Sequence, residues 1–93
     1  MNNLKTKYKS MFNIVRDELN KIDPIGVVLD NPNLIDEYDF ENQKIITFVQ
    51  QTSDYKELAD KICEIFIEST GINLNPEEFY ECAKNILEKI QKL

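Results

Sequence analysis

Apolar residues recur at intervals of three and four along most of the 93-residue chain, and this spacing is the strongest constraint on its fold. Such spacing places apolar side chains on one face of an α-helix. The first stripe predicts a helix from about Leu4 to Lys21, because Asp23 precedes a proline and helical geometry is disfavoured there. The apolar members of this stripe are Leu4, Tyr8, Met11, Phe12, Val15, Leu19 and Ile22.

The next two stripes predict a second and a third helix. The second spans about Phe40 to Gln51, and Asp39 before it is a candidate N-cap, since its carboxylate can accept a hydrogen bond from the first turn. The third spans roughly residues 54–70, with Ser53 or Asp54 as its cap. The inward-facing residues predicted for the second helix are Ile45, Ile46 and Val49. Those predicted for the third are Tyr55, Leu58, Ala59, Ile62, Cys63, Ile65 and Phe66.

The fourth helix has the clearest start signal in the chain. Gly71 is suited to ending the third helix in a left-handed conformation. Asn75 then serves as N-cap and Pro76 occupies the first helical position of the fourth, where its missing N–H costs nothing. Glu77 and Glu78 follow in the first turn, where negative charge is favourable. The predicted buried residues of this helix are Phe79, Cys82, Ala83, Ile86, Leu87, Ile90 and Leu93.

Four amphipathic helices predict an all-α fold, namely a compact bundle of four main helices in a single domain covering residues 1–93. The chain has no apolar run long enough to cross a membrane, and its first residues lack the apolar core of a secretion signal. We therefore expect a cytoplasmic protein that does not bind membranes.

The connection between the first two helices is unusually long. Connections within helical bundles commonly have two to eight residues, whereas the gap from Ile22 to Asp39 is about twice that and lies within the stretch DPIGVVLDNPNLIDEYDFEN at residues 23–42. Its first four residues suit a type I turn, in which Asp23, Pro24 and Gly26 occupy favourable positions. A connection of this length either contains a short structural element or has a function.

Negative charge is concentrated in the same connection. Residues 22–43 carry six acidic residues and no basic one, whereas residues 1–21 have a net charge of +3 and residues 44–93 a net charge of −3. The whole chain has a formal net charge of −6. Such a chain repels nucleic acid and anionic membranes and attracts cationic partners. The lysines near the N-terminus are expected on the solvated face of the first helix.

The residues of conventional enzyme sites are scarce. The chain has no histidine and only two glycines, so the commonest general base and a glycine-rich phosphate loop are both absent. Cys63 and Cys82 are far apart in sequence and lie within apolar stripes, which predicts buried, reduced thiols. We therefore predict a non-enzymatic protein with no catalytic residues and no cofactor.

The densest cluster of chemically versatile residues is a candidate protein-binding site. Carboxylates beside a tyrosine can attract and contact the lysines and arginines of another protein. The predicted partner-binding residues are Asp36, Glu37, Tyr38 and Asp39, with Asp30 upstream and Glu41 downstream. This interpretation requires that the carboxylates around Tyr38 stand in water as one negative surface.

Three other interpretations of the same region remain open. Asp39 could cap the second helix while the other acids are merely solvated. Asp30, Asp36, Glu37 and Asp39 could supply oxygen ligands to a divalent cation, although an EF-hand loop is excluded because Pro32 and Ile35 occupy unsuitable positions. An exposed apolar face on the connection or on the second helix could instead bury itself in a homodimer.

Three segments resemble the YugE-like family of small bacterial proteins of unknown function. They are NKIDPIGV at residues 20–27, DEYDFE at residues 36–41 and ELADKICEIFIESTG at residues 57–71. Members of that family carry a W-D-P-I-G turn, a D-E-Y-D segment and an L-A-x-x-I-x-x-x-F helix, and this chain has Ile22 in place of the tryptophan. The resemblance implies an all-helical fold and one linked feature formed by the turn and the D-E-Y-D acids, but no activity.

The size and charge of the chain are also similar to those of immunity proteins that neutralise bacterial nuclease toxins. We therefore expect an acidic module that binds a basic protein partner, such as a toxin nuclease domain, by occluding its basic surface.

Overall fold

The computed structural model describes the backbone of residues 3–24 and 38–93, and side chains from residue 6 onward within those ranges. These residues form four α-helices and one short 3₁₀ helix, which confirms the predicted all-α bundle of four main helices. The α-helices are α1 (Asn3–Ile22), α2 (Asp39–Val49), α3 (Tyr55–Thr70) and α4 (Tyr80–Gln91), and the 3₁₀ helix spans Pro76–Phe79. The predicted acidic connection falls largely on residues 25–37, outside the described residues.

Helix α1 ends at the predicted position. Asp23 leaves the helical region with a φ of 45°, while its backbone N–H still donates to the Leu19 carbonyl at 2.8 Å. Pro24 follows and cannot donate a further helical hydrogen bond. Aspartate is one of the few residues other than glycine that adopts the left-handed region at modest cost. The chain therefore turns sharply at Asp23.

The predicted capping role of Asp39 is wrong. Tyr38 occupies the N-cap position and Asp39 is the first residue of α2. The Asp39 carboxylate is instead held by Arg16 of α1, as described below, so it makes a tertiary contact and no cap. The helix also ends at Val49, two residues before the predicted end.

Both predicted signals that delimit α3 are confirmed. The Asp54 side chain accepts a hydrogen bond from the Lys56 N–H at 2.9 Å. Gly71 follows the last turn with a φ of 74°, and its N–H donates to the Ile67 carbonyl at 2.8 Å. A left-handed residue at this place satisfies a carbonyl that the helix would otherwise leave open.

The last helix begins with a tighter turn than predicted. Residues Pro76–Phe79 are 3₁₀, because the Glu78 N–H reaches back three residues to the Asn75 carbonyl at 3.0 Å. The Glu78 carboxylate in turn accepts from the Asn75 N–H at 3.0 Å, which fixes the start of this segment. Regular α-helix begins only at Tyr80.

The apolar faces of the four helices meet in one core. Phe66 of α3 lies at its centre, stacked on Phe79 at 5.9 Å between ring centroids and touched edge-on by Tyr38 at 5.4 Å. Two residues of the predicted stripes lie at the surface instead: Tyr8 is 45% exposed and Leu93 is 55% exposed. Both lie near helix ends, and Leu93 follows the last residue of α4. The fully buried core residues include Val15, Leu19, Ile45, Leu58, Ala59, Ile62, Phe66, Ala83 and Ile86.

Both thiols are free and buried, as predicted. The Cys63 thiol donates to the Leu74 carbonyl at 3.2 Å. Burial, together with the nearby charge of Glu18, raises the pKa of the Cys82 thiol to about 12. Across the helices of the described ranges, none has the length and apolar character of a membrane span.

Candidate functional site

The tyrosine of the predicted binding site lies inside the bundle. Tyr38 is 2% exposed, and its hydroxyl donates to an Asp23 carboxylate oxygen at 2.5 Å. Its ring packs against Phe66 in the core. Its aromatic face is therefore not presented to a partner as expected, because the start of α2 lies against the end of α1 and draws the ring inward.

Asp39 is bound by a basic residue of the same chain. The Arg16 guanidinium donates from Nε to Oδ1 at 3.1 Å and from Nη2 to Oδ2 at 2.5 Å. Such a two-point contact is the strongest geometry available to an arginine and a carboxylate. Arg16 also lies over the Phe12 ring, 5.3 Å from its centroid. This carboxylate therefore joins α2 to α1.

Glu41 and its neighbour Asn42 are also turned inward. Glu41 is 9% exposed and Asn42 is fully buried. The Asn42 amide donates to the Phe12 carbonyl at 3.0 Å, which ties α2 to α1 a second time. Within the described ranges, Glu41 Oε1 has no hydrogen-bond partner. Glu41 is thus not part of a solvated acidic surface, contrary to the sequence-based expectation.

The other predicted site residues fall outside the described residues. These are Asp30, Asp36, Glu37 and Gly26, so their role as partner-binding or turn residues stays a prediction. Of the proposed metal ligands, Asp30, Asp36 and Glu37 therefore lie outside the described residues, and the fourth, Asp39, is bound by Arg16. The described ranges contain no group of three or more Cys, Asp or Glu side chains arranged to hold a metal ion.

One exposed aromatic residue at the start of α2 was not singled out from the sequence. Phe40 is 64% exposed, and the Lys44 ammonium lies 4.7 Å from its ring centroid. Asp39 on one side and Glu41 on the other are turned toward the bundle, so α2 directs the phenyl ring between them outward. Because Asp39 and Glu41 on either side were expected at the surface, the outward orientation of Phe40 was not apparent from the sequence.

The exposed carboxylates of the described residues are concentrated on α3 and the segment after it. Glu57, Asp60, Glu64 and Glu68 are separated by three or four residues and therefore form one stripe along the outer side of α3. Three more exposed carboxylates follow on the 3₁₀ helix and the start of α4: Glu77, Glu78 and Glu81. We call these seven carboxylates the acidic face.

The two parts of the acidic face lie on elements that pack together, because the 3₁₀ helix contacts α3. Burial raises the pKa of the Cys63 thiol of α3, and the charges of Glu78 and Asp60 raise it further. Lys61 pairs with Glu64 at 3.0 Å on this face. Two apolar residues are exposed beside the carboxylates, Ile67 at 37% and Ile72 at 44%.

A buried carboxylate between α1 and α4 has a structural role. Glu18 of α1 is 2% exposed and accepts hydrogen bonds from Lys89 at 2.5 Å, Lys21 at 3.1 Å and Asn85 at 3.3 Å. Burial raises the pKa of Glu18, but these three donors outweigh it and hold the pKa below its ordinary value. The charge is thus used to join α1 to α4.

Comparison with known proteins adds no relative: no family model, no curated protein and no solved structure matches the chain. The resemblance to the YugE-like family accordingly stays a prediction.

Proposed function

We propose that the protein is a non-enzymatic module that binds a basic surface of another protein through its acidic face. The supporting observation is the position of its charge. Residues 54–81 contain eight acidic and two basic residues, and their net charge of −6 equals that of the whole chain. All of these residues are described, and the seven carboxylates of the acidic face are exposed.

The dimensions of this face define the partner that it suits. The carboxylates from Glu57 to Glu68 extend over eleven residues of helix, or about 16 Å at a rise of 1.5 Å per residue. A partner would need lysines or arginines over a comparable length. The exposed Ile67 and Ile72 supply apolar contact beside the charges, as protein interfaces combine an apolar centre with a polar rim.

Binding of this kind would be fast and sensitive to salt. Opposite charges on two surfaces accelerate association, and dissolved ions screen this attraction. We further propose that the partner is a bacterial nuclease toxin and that the protein acts in the cytoplasm as its immunity protein. The acidic face would occupy the basic surface that the toxin uses to bind nucleic acid.

The experiment requires a purified partner and two matched variants. Proteins retained by the immobilised chain at low salt would be identified, and each candidate would be purified and tested alone. The test variant is Glu57→Gln with Glu68→Gln. The control removes two exposed carboxylates elsewhere, through Asp17→Asn with Glu88→Gln, so that both variants change the net charge by +2. Association rates would be measured over a range of salt concentrations.

We expect the test variant to associate more slowly than the wild-type chain and to show a flatter dependence on salt, while the control keeps the wild-type behaviour. Either of two results would refute the proposal. One is that the purified partners are not basic. The other is that their association is equally fast for both variants at every salt concentration.

A second variant separates this proposal from the site predicted by the sequence. Asp36→Asn with Glu37→Gln removes the two acids of that site that lie outside the described residues. If these changes slow association and the α3 changes do not, the partner binds the connection between α1 and α2. Substitutions of Tyr38, Asp39 or Glu41 are unsuitable for this comparison, because their side chains pack or pair within the bundle.

A further inference from the structure

A groove opens at the end of the bundle where the first half of α1 meets the ends of α2 and α4. Its volume is about 530 Å³. Met11 and Val49, at 4% and 5% exposure, form a buried apolar floor, and Tyr8 and Ile90 form more exposed walls. Lys7 and Gln50, both exposed, complete the lining. The groove thus combines apolar side chains with one positive charge.

The size and lining of the groove suit a small amphipathic molecule. Small-molecule sites commonly have volumes of roughly 300–1,000 Å³ and combine an apolar lining with a few polar groups. A medium-chain alkyl group fits within the volume of the groove. A polar group in the same place would find no charged partner, because Met11 and Val49 form the floor.

The charge near the groove favours an anionic head group. Among the described residues that line the groove, Lys7 is the charged one and none is acidic. Gln50 follows the C-terminal end of α2, whose partial negative charge is about half a unit and acts within the last turn. Lys7 carries a full positive charge. An anionic group is therefore best placed beside Lys7, with the alkyl chain over Met11 and Val49.

We propose that this groove binds the anion of a medium-chain fatty acid. The alkyl chain displaces water from the apolar surface of Tyr8, Met11, Val49 and Ile90, which favours binding. The carboxylate pairs with the Lys7 ammonium. This site lies apart from the acidic face and does not depend on the proposed partner binding.

The test is a titration of the isotope-labelled chain with decanoate below its micellar concentration, followed by NMR. Decanol and decyltrimethylammonium provide a neutral and a cationic head group on the same alkyl chain. We expect saturable shifts of Met11, Val49 and Ile90, with decanoate binding most tightly and the cation most weakly. Absence of saturable shifts at these residues, or equal affinity for all three compounds, would overturn the proposal.

Two charge reversals distinguish specific pairing from a general effect of net charge. Lys7→Glu lies in the groove, whereas Lys84→Glu is an equally exposed change outside it. We expect Lys7→Glu to weaken decanoate binding about five-fold, the effect of an exposed ion pair of roughly 1 kcal/mol, and to leave decanol binding unchanged. Equal effects of the two reversals on decanoate binding would contradict the assigned role of Lys7.

Discussion

The contact between α1 and α4 centres on a buried carboxylate whose loss has a calculable effect. Glu18→Gln keeps the size of the side chain and removes its charge, so the contacts with Lys89 and Lys21 lose their ionic character. Hydrogen bonds to charged groups contribute roughly 1.5–3 kcal/mol where both groups are shielded from water. The lysine side chains here are 45% and 61% exposed, so this range must be reduced for solvent screening.

We expect Glu18→Gln to lower the free energy of unfolding by about 1–2 kcal/mol at pH 7. For a domain of this size, each kcal/mol corresponds to a fall in Tm of roughly 4–8 °C. Removing the partner lysine instead, through Lys89→Met, is expected to lower the free energy of unfolding more than Glu18→Gln does. It leaves a buried negative charge with fewer donors, whereas Glu18→Gln leaves lysines that water can solvate.

The effect of Glu18→Gln should depend on pH in a defined direction. The folded-state pKa of Glu18 lies below its ordinary value of 4.5, so ionised Glu18 stabilises the fold. This contribution is fully present above the unfolded-state pKa and is lost as the pH falls through the folded-state pKa. The stability difference between wild type and variant should therefore be constant near neutral pH and shrink below about pH 4.5.

Urea unfolding followed by far-UV circular dichroism measures both quantities. Glu88→Gln serves as the control, because Glu88 is an exposed acid on α4 and its loss should change stability by less than about 0.5 kcal/mol. A variant as stable as wild type at pH 7 would refute the reasoning. So would a difference that grows in acid, since it would mean that burial outweighs the three donors.

Three further predictions concern the ends of α3, the start of α2 and the thiols. Gly71→Ala should lower the free energy of unfolding in urea by roughly 1–2 kcal/mol, because the φ of 74° is unfavourable for alanine although its added Cβ would meet no neighbour. Gly71→Asn should lower it less. Equal stability of the wild type and both variants would contradict this prediction. Tyr38→Phe should cost about 1 kcal/mol by the same assay through loss of its hydrogen bond to Asp23, and an unchanged Tm would show that this bond contributes nothing. Cys82 is buried and its pKa is near 12, so we expect it to react with a thiol reagent at pH 8 only when the protein unfolds. Modification without denaturant at the rate of an unfolded peptide would disprove its burial.

The helices could be predicted from the sequence because each depends on local information. Periodic apolar residues define the four stripes, Asp54 has a side chain suited to capping, and Gly71 adopts the left-handed conformation without strain. The 3₁₀ segment before α4 was missed, since Asn75 and Pro76 begin an α-helix and a 3₁₀ helix equally well.

The residues of the predicted site were harder to place, because their orientation depends on contacts between helices. A tyrosine among acids resembles a surface residue, yet Tyr38 is drawn into the core by Phe66 and Asp23. Some signals were present in the sequence. Asn42 lies three residues before Ile45, and Glu18 three after Val15, so helical spacing places both on buried faces.

The acidic face was overlooked for a different reason. Its carboxylates are spread over three helical elements and separated by buried residues, so no short segment of sequence is as acidic as the connection. Only the packing of the 3₁₀ helix against α3 brings Glu77 and Glu78 close to the helix that carries the other carboxylates.

The central claim is that a basic protein binds the exposed carboxylates of α3 and the segment after it. Its most direct test is a map of backbone amide shifts in the labelled chain when the purified partner is added. The account predicts that the largest shifts cluster at Glu57, Asp60, Glu64, Glu68 and Glu78 and fade as salt is added. Shifts confined to residues 30–41, or a map that salt leaves unchanged, would contradict it.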